Sequence, residues 1–366
     1  MMNTLPAEWA PQSALLLTWP HPNTDWRDQL DAVEAVYIEI VRTLCQYQPA
    51  LILCPDRHWQ TQVATRLRDA GVPDAQLHWA LAPSNDTWTR DHGPITVVTP
   101  KQRAGLIDFR FNGWGGKFAS PLDDQINSAL RAQSPLADHD WQRSELVLEG
   151  GALDSDGAGS LLMMRRTILD PKRNPGWSQA AIEQELRQRL GTQHFLWLEH
   201  GQLSGDDTDG HIDTLARFVN PRTIAHVSCT DPADPDYPSI QQLIEELRAL
   251  RDAEGRAYQL LPLPSPQPQY DADGQRLPAG YANFALINGA VLLPVYQDPA
   301  DREAIHRLQG AFPERRIHPI DCRALITQGG SLHCACMQLP AAVHLGPALP
   351  PAALPPTPRP SSAAAA

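Results

Sequence analysis

The chain has 366 residues, 42% of them hydrophobic and 20% charged, with a formal net charge of −12 at pH 7. That is a globular composition, and its acidic balance, without a Lys/Arg-rich stripe, excludes nucleic acid and membrane surfaces as partners while suiting a cationic ligand. No run approaches the ~20 apolar residues of a membrane span. The opening MMNTLPAEWAPQSALLL has no basic region ahead of its apolar stretch, and Glu8 and Pro11 interrupt it, so it is no secretory signal. A cytoplasmic protein with six free cysteines is expected.

Short apolar runs alternate with amphipathic patterns from the start. Residues 13–20 read as a strand. Residues 28–44 read as a helix, with Leu30, Val33, Val36, Tyr37, Ile40, Val41 and Leu44 at three-and-four spacing. A strand at 50–55, a helix at 59–70 and an apolar segment at 76–83 follow, then strands at 95–99 and 105–111. Further on come a strand at 145–149, a helix at 178–190, strands near 194–198 and 214–228, and a helix at 239–251. Strands at 258–262 and 284–295, a helix at 300–311 and a closing strand pair around 315–339 complete the series. The order is α/β throughout. No linker divides it, so residues 1–345 are read as one domain. Residues 346–366, with seven prolines and no apolar period, read as a disordered tail.

Four stretches place acids, His or Cys beside glycines at the ends of apolar runs: NDTWTRDHGP (85–94), LVLEGGALDSDG (146–157), SGDDTDGHID (204–213) and GGSLHC (329–334). Such strand-end loops are where α/β proteins carry their chemistry. The third resembles a calcium loop, but its twelfth position falls on Arg217 rather than an acid. Read as a strand, His211-Ile212-Asp213 sends a histidine and a carboxylate into one cavity. Cys334 and Cys336 would likewise share a strand face, with His333 on the other. Metal clip, redox pair, buried thiol and nucleophile all remain open for them, although the other cysteines are isolated and a redox pair normally has two intervening residues. GWGGKF (113–118) lacks the Ser/Thr of a phosphate loop, and GGSLH lacks the last glycine of a hydrolase elbow.

Together these stretches resemble one family, the agmatine deiminases and bacterial-type peptidylarginine deiminases of the guanidino-group modifying superfamily. The likeness spans about residues 5–340. It starts with Pro6, Glu8, Trp9, Trp19 and Pro20, then W-x-R-D-x-G-P (Trp88, Arg90, Asp91, Gly93, Pro94) and F-N-x-W-G-G-K (Phe111–Lys117). It continues through L-E-G-G (Leu148–Gly151) and D-T-D-G-H-I-D (Asp207–Asp213) to the closing G-G-x-x-H-C. The resemblance implies a five-module α/β propeller of pentein type, ββαβ units around a central well. It also implies Cys334 as nucleophile, His211 as general acid and base, Glu149 as a further catalytic acid, Asp91 and Asp213 as the carboxylates gripping the guanidinium, and Trp88 as lining.

The chemistry asks for these residue types on its own account. A guanidinium is a planar cation whose fork of N–H donors matches paired carboxylates. Its carbon is a poor electrophile, so a thiolate is the fitting nucleophile. Neighbouring carboxylates should keep that thiol protonated until the substrate's own charge arrives. Agmatine is the expected substrate, hydrolysed to N-carbamoylputrescine and ammonia through a Cys334 thiouronium, with no metal or organic cofactor. The alternatives are a deiminase of free or peptide arginine, a related dihydrolase or amidinotransferase, and, more distantly, a non-enzymatic guanidine- or polyamine-binding protein. The partner expected is a small guanidino cation, not nucleic acid or membrane, and a homodimer is compatible with the resemblance. Arg90, Arg165, Arg166 and Arg217 are the candidate cations for an α-carboxylate. Two departures from the family pattern stand out: Ser331 where Asn is usual, and Ala335-Cys336-Met337-Gln338 where Ile-Thr-Gln-Gln is usual.

Overall fold

The computed structural model describes residues 2–133 and 135–346; the expected tail lies, beyond Gly346, outside the described residues. In chain order the N-terminal part holds β1 (Gln12–Thr18), a helix at Leu30–Leu44, β2 (Ala50–Cys54), a helix at Arg57–Asp69 and β3 (Leu77–Leu81). Three similar stretches follow: β4 (Ile95–Val98), β5 (Ala104–Arg110) and β6 (Asp140–Val147); β7 (Leu153–Ser155), β8 (Ser160–Met164) and β9 (His194–Leu198); β10 (Ala216–Asn220), β11 (Thr223–Val227) and β12 (Gln259–Leu263). After a small ribbon of β13 (Gln269–Tyr270) and β14 (Arg276–Leu277) come β15 (Ala285–Ile287), β16 (Ala290–Val295), β17 (Arg316–Asp321) and β18 (Cys336–Pro340).

One connectivity repeats. In β4-β5-β6, β7-β8-β9, β10-β11-β12 and β15-β16-β17 an antiparallel pair leads, through a helix, to a third strand parallel to the second. The crossover helices are Ile126–Ala132, Gln179–Leu190, Tyr237–Ala249 and Asp301–Ala311, as parallel neighbours require. The fifth sheet follows the same rule with strands from both chain ends. β18 runs antiparallel to β1, β1 runs parallel to β2, and β3 extends the edge.

Burial explains the strand sequences. ALILC in β2 is buried at every position because it has partners on both sides and cover on both faces. In β1, Leu15 and Leu17 belong to one apolar cluster and Ala14 and Leu16 to another, the alternation of a pleated strand between two layers. Helix 30–44 buries Val33, Val36, Tyr37, Ile40, Val41 and Leu44, the stripe its spacing predicts.

Several expectations are corrected. The closing strand pair is two strands of different sheets, β17 and β18, separated by a short helical turn at Leu325–Gln328. The helix at Ile126–Ala132 and strands β7 and β8 were not expected at all. His211–Asp213 is not a strand: His211 is extended and Ile212–Thr214 forms a single 3-10 turn. Residues 332–335 are a turn, and only Cys336 begins β18. Among the described residues no helix is long and apolar enough to cross a membrane.

Candidate active site

The segment that enters each of the five sheets, just before its first strand, is buried and carries polar side chains. These are Trp88–His92 before β4, 149–152 before β7, 211–214 before β10, 281–284 before β15 and 331–335 before β18. Their side chains meet. Gly151 marks the meeting point: a Cβ there would lie 2.6 Å from His211 Nδ1, 2.9 Å from Asp91 Oδ1 and 3.1 Å from Asp213 Oδ2. The second glycine of L-E-G-G is there because three functional groups fill the space of a side chain.

Cys334 sits in its turn with 4% of its surface exposed. Asn283 holds it: the amide Oδ1 accepts from the His333 and Cys334 backbone N–H groups at 2.9 and 3.4 Å, and Nδ2 donates to Sγ at 3.3 Å. The thiol faces Asp213 Oδ2 at 3.7 Å. Burial, then the charges of Asp213 and Asp91, push its pKa well above the usual thiol value. Cys336 does not share this position. Its sulfur points back to Leu332 O at 3.4 Å within the apolar core, so the two sulfurs do not lie on one strand face. His333 is also misplaced by the strand reading, because it turns towards the site and binds Asp213 Oδ2 through Nδ1 at 2.7 Å.

His211 is fully buried between two carboxylates, 3.6 Å from Asp91 Oδ1 and 3.7 Å from Glu149 Oε2. Both separations are too long for hydrogen bonds, and neither ring nitrogen has a partner. Burial alone would pull the imidazole down, but the negative charges of Asp91 and Glu149 override it and lift its pKa to about 9. The three acids differ by environment. Asp91 accepts from Gly151 N at 3.0 Å and Trp114 Nε1 at 2.9 Å, yet burial still pushes it up to about 6. Glu149 is held down despite burial by His211 and by Arg173, whose Nε donates to both carboxylate oxygens at 2.9 and 3.1 Å. Asp213 is held down despite burial by His333, and its Oδ1 has no partner.

A narrow cavity leads to Cys334. Trp88, Trp114 and Phe118 supply its apolar wall; Asp91 sits inside with Cys334, and Asp25, Asp86 and Asp207 line it as well. Gly330 exists for the Trp88 indole, which would lie 2.5 Å from any Cβ there. Among the described residues no Lys or Arg lines this cavity. The four candidate cations are engaged elsewhere. Arg90 donates to Gln338 Oε1 at 2.6 Å; Arg217 is fully buried against Glu8 and Asp154; Arg165 pairs with Glu199; Arg166 donates to Gly201 O at 2.6 Å.

All six expected site residues, Cys334, His211, Glu149, Asp91, Asp213 and Trp88, are therefore brought together. Asn283, Arg173, Trp114 and His333 were missed in those roles. Asn283 had one signal, a lone amide within the apolar run Tyr281–Phe284.

Comparison with known proteins agrees with this geometry. A profile of the Porphyromonas-type peptidyl-arginine deiminases matches residues 4–340. An agmatine deiminase of Stutzerimonas stutzeri is 31% identical over 357 residues, covering 92% of this chain and 95% of the relative. A crystal structure from Porphyromonas gingivalis, provisionally named an arginine deiminase, is 44% identical, with a TM-score of 0.85 over 93% of this chain and 99% of that one. A Cys-to-Ser variant of C. jejuni agmatine deiminase with substrate bound is 34% identical, with a TM-score of 0.84 over 95% of this chain and 98% of that one.

Proposed function

Because the chain belongs to the Porphyromonas-type peptidyl-arginine deiminase family, we propose that it is a cytoplasmic hydrolase acting on agmatine. Agmatine and water would give N-carbamoylputrescine and ammonia, and the five sheets would be the blades of a propeller around the site. The observation that carries the substrate choice is the lining of the cavity, which offers Asp25, Asp86 and Asp207 along with Asp91 and no cation. Agmatine is positive at both ends. Arginine would bring an α-carboxylate into that lining with nothing to pair it. The names of the S. stutzeri and C. jejuni relatives point the same way; the P. gingivalis name favours arginine.

In the proposed reaction Asp91 and the free Oδ1 of Asp213 accept the guanidinium N–H groups. The incoming charge offsets the carboxylates that hold the Cys334 thiol protonated, the thiol gives up its proton to solvent as substrate binds, and the thiolate attacks the guanidino carbon. His211, as imidazolium, protonates the departing ammonia. The S-alkylthiouronium that remains is hydrolysed by a water whose proton His211, now neutral, removes. Glu149 keeps His211 charged in the first half, and Arg173 keeps Glu149 ionised.

The test offers agmatine, arginine, an N-acylarginine amide and succinylarginine separately, following ammonia and the mass of the ureido product. Agmatine should be turned over with the highest kcat/KM. A preference for arginine would overturn the substrate choice, and no ammonia from any guanidine would end the deiminase reading.

A further inference from the structure

Behind Asp213, away from the substrate cavity, a chain of buried charges crosses the centre of the molecule. Asp213 Oδ2 is bonded to His333 Nδ1 at 2.7 Å, and His333 Nε2 to Glu8 Oε2 at 2.8 Å. Glu8 Oε2 also pairs with Arg217 Nη2, and Arg217 Nε donates to Asp154 Oδ1 at 3.1 Å. Signs alternate along the row. All five residues are at most 8% exposed. Ionised carboxylates only accept hydrogen bonds, so a ring bound to one at each nitrogen donates at both, which is the imidazolium form. The far end is fixed to backbone: Leu286 N donates to Glu8 Oε1 at 2.7 Å and Arg217 Nη1 to Phe284 O at 2.9 Å. Glu8 and His333 line a second cavity, separate from the one that reaches Cys334.

We propose that Glu8 is a positioning residue for catalysis: through His333 it fixes the plane and charge of Asp213, so that Oδ1 alone is presented to the guanidinium. This assignment rests on the deiminase reading and adds to it a residue from the segment ahead of β1. The geometry supplies the reason. Asp213 is a buried carboxylate with one oxygen unpartnered, an arrangement that costs free energy unless the other oxygen is held by a charged donor. His333 is that donor, and Glu8 is the group that lets a buried imidazole carry charge. The other groups facing Asp213 are Cys334 at 3.7 Å, Asp91 across Gly151 and, by charge, His211 and Arg217; Arg90 and Asp154 complete the surroundings of Glu8 and His333.

The sign of the pH effect follows. Removing the charge of Glu8 weakens the charged donor on Asp213, so burial raises its carboxyl and substrate binding is lost at a higher pH. In Glu8→Gln the KM for agmatine should rise about tenfold at pH 7, and the acid limb of kcat/KM, set by Asp91 in the wild type, should steepen as Asp213 takes up a second proton in the same range. The control is Gln12→Ala. Gln12 Nε2 donates to the Glu8 and Leu286 carbonyls at 2.8 Å each, so it supports the same backbone without touching the carboxylate. That variant should lose thermal stability and keep the wild-type KM and acid limb. If Glu8→Gln does not fold, His333→Gln, which retains the Glu8–Arg217 pair, carries the same measurement with the same expected direction. A folded Glu8 or His333 variant with wild-type KM and acid limb overturns the positioning role alone. A wild-type protein inactive on every guanidine overturns the deiminase reading and this role with it.

Discussion

Replacing Asp213 by Asn should make Cys334 more reactive even as it abolishes turnover. The carboxylate lies 3.7 Å from the sulfur, both groups being buried. A unit charge at that distance, at an effective dielectric of about 20, is worth about 4.5 kcal/mol, or about three pKa units. Three units multiply the thiolate fraction at pH 7 by about a thousand, while the lower basicity of the thiolate takes back roughly twentyfold. The net expectation is alkylation faster by roughly 30- to 60-fold. The assay is iodoacetamide labelling at pH 7, followed by mass spectrometry of the peptide carrying Cys334, with the buried thiols Cys45, Cys54, Cys229 and Cys322 as internal references. In the wild type the rate should still climb above pH 8. A variant no faster than wild type, or a wild-type rate flat from pH 5 to 8, would refute the reasoning and favour a resting thiolate–imidazolium pair.

Three more outcomes are expected. Asp91, pushed up to about 6, must be ionised to bind substrate, and His211, lifted to about 9, must be protonated to release ammonia; kcat/KM should therefore fall below about pH 6 and above about pH 9, and a profile level down to pH 5 would contradict it. Asp86→Asn should raise the KM for agmatine about tenfold while leaving butylguanidine, which lacks the distal ammonium, nearly unchanged; equal losses on both would place Asp86 outside ammonium recognition. Gly151→Ala should fold, yet lose at least about a hundredfold in kcat/KM, because its methyl displaces His211, Asp91 or Asp213; near-wild-type turnover would show that these groups need not meet there.

The six residues that meet around Gly151 and Cys334 were legible because short motifs carry them, each at the entry to a sheet. What their neighbours do was not. Arg173 reaches Glu149 over 24 positions, Asn283 reaches Cys334 over 51, and Arg217 reaches Asp154 over 63, separations at which no local period survives. Periodicity also misled at the site itself. Strand alternation sent His211 and Asp213 to one place, and they do meet, but a helical turn and the side-chain space that Gly151 leaves to them bring them together. The same alternation failed for His333, whose ring binds Asp213. The unpredicted elements were short ones. β7 has three residues and β8 five, separated by a Gly-containing turn that reads as loop, and the helix at Ile126–Ala132 has only seven.

The pairing of β1 with β18 has a consequence for biosynthesis. Glu8 leaves the ribosome 325 positions ahead of His333, the residue it pairs with. Closing a loop of that length costs about 5 kcal/mol in chain entropy. The strand Gln12–Thr18 lacks its antiparallel neighbour until translation has passed Pro340, and during that interval its outer edge is open to other chains. Four sheets can form in order as they emerge; the fifth, and the thiol beside it, are completed together only after them. A chain cut short of residue 334 thus holds Asp91, Glu149, His211 and Asp213 without Cys334, and activity would report that synthesis has passed the fifth sheet.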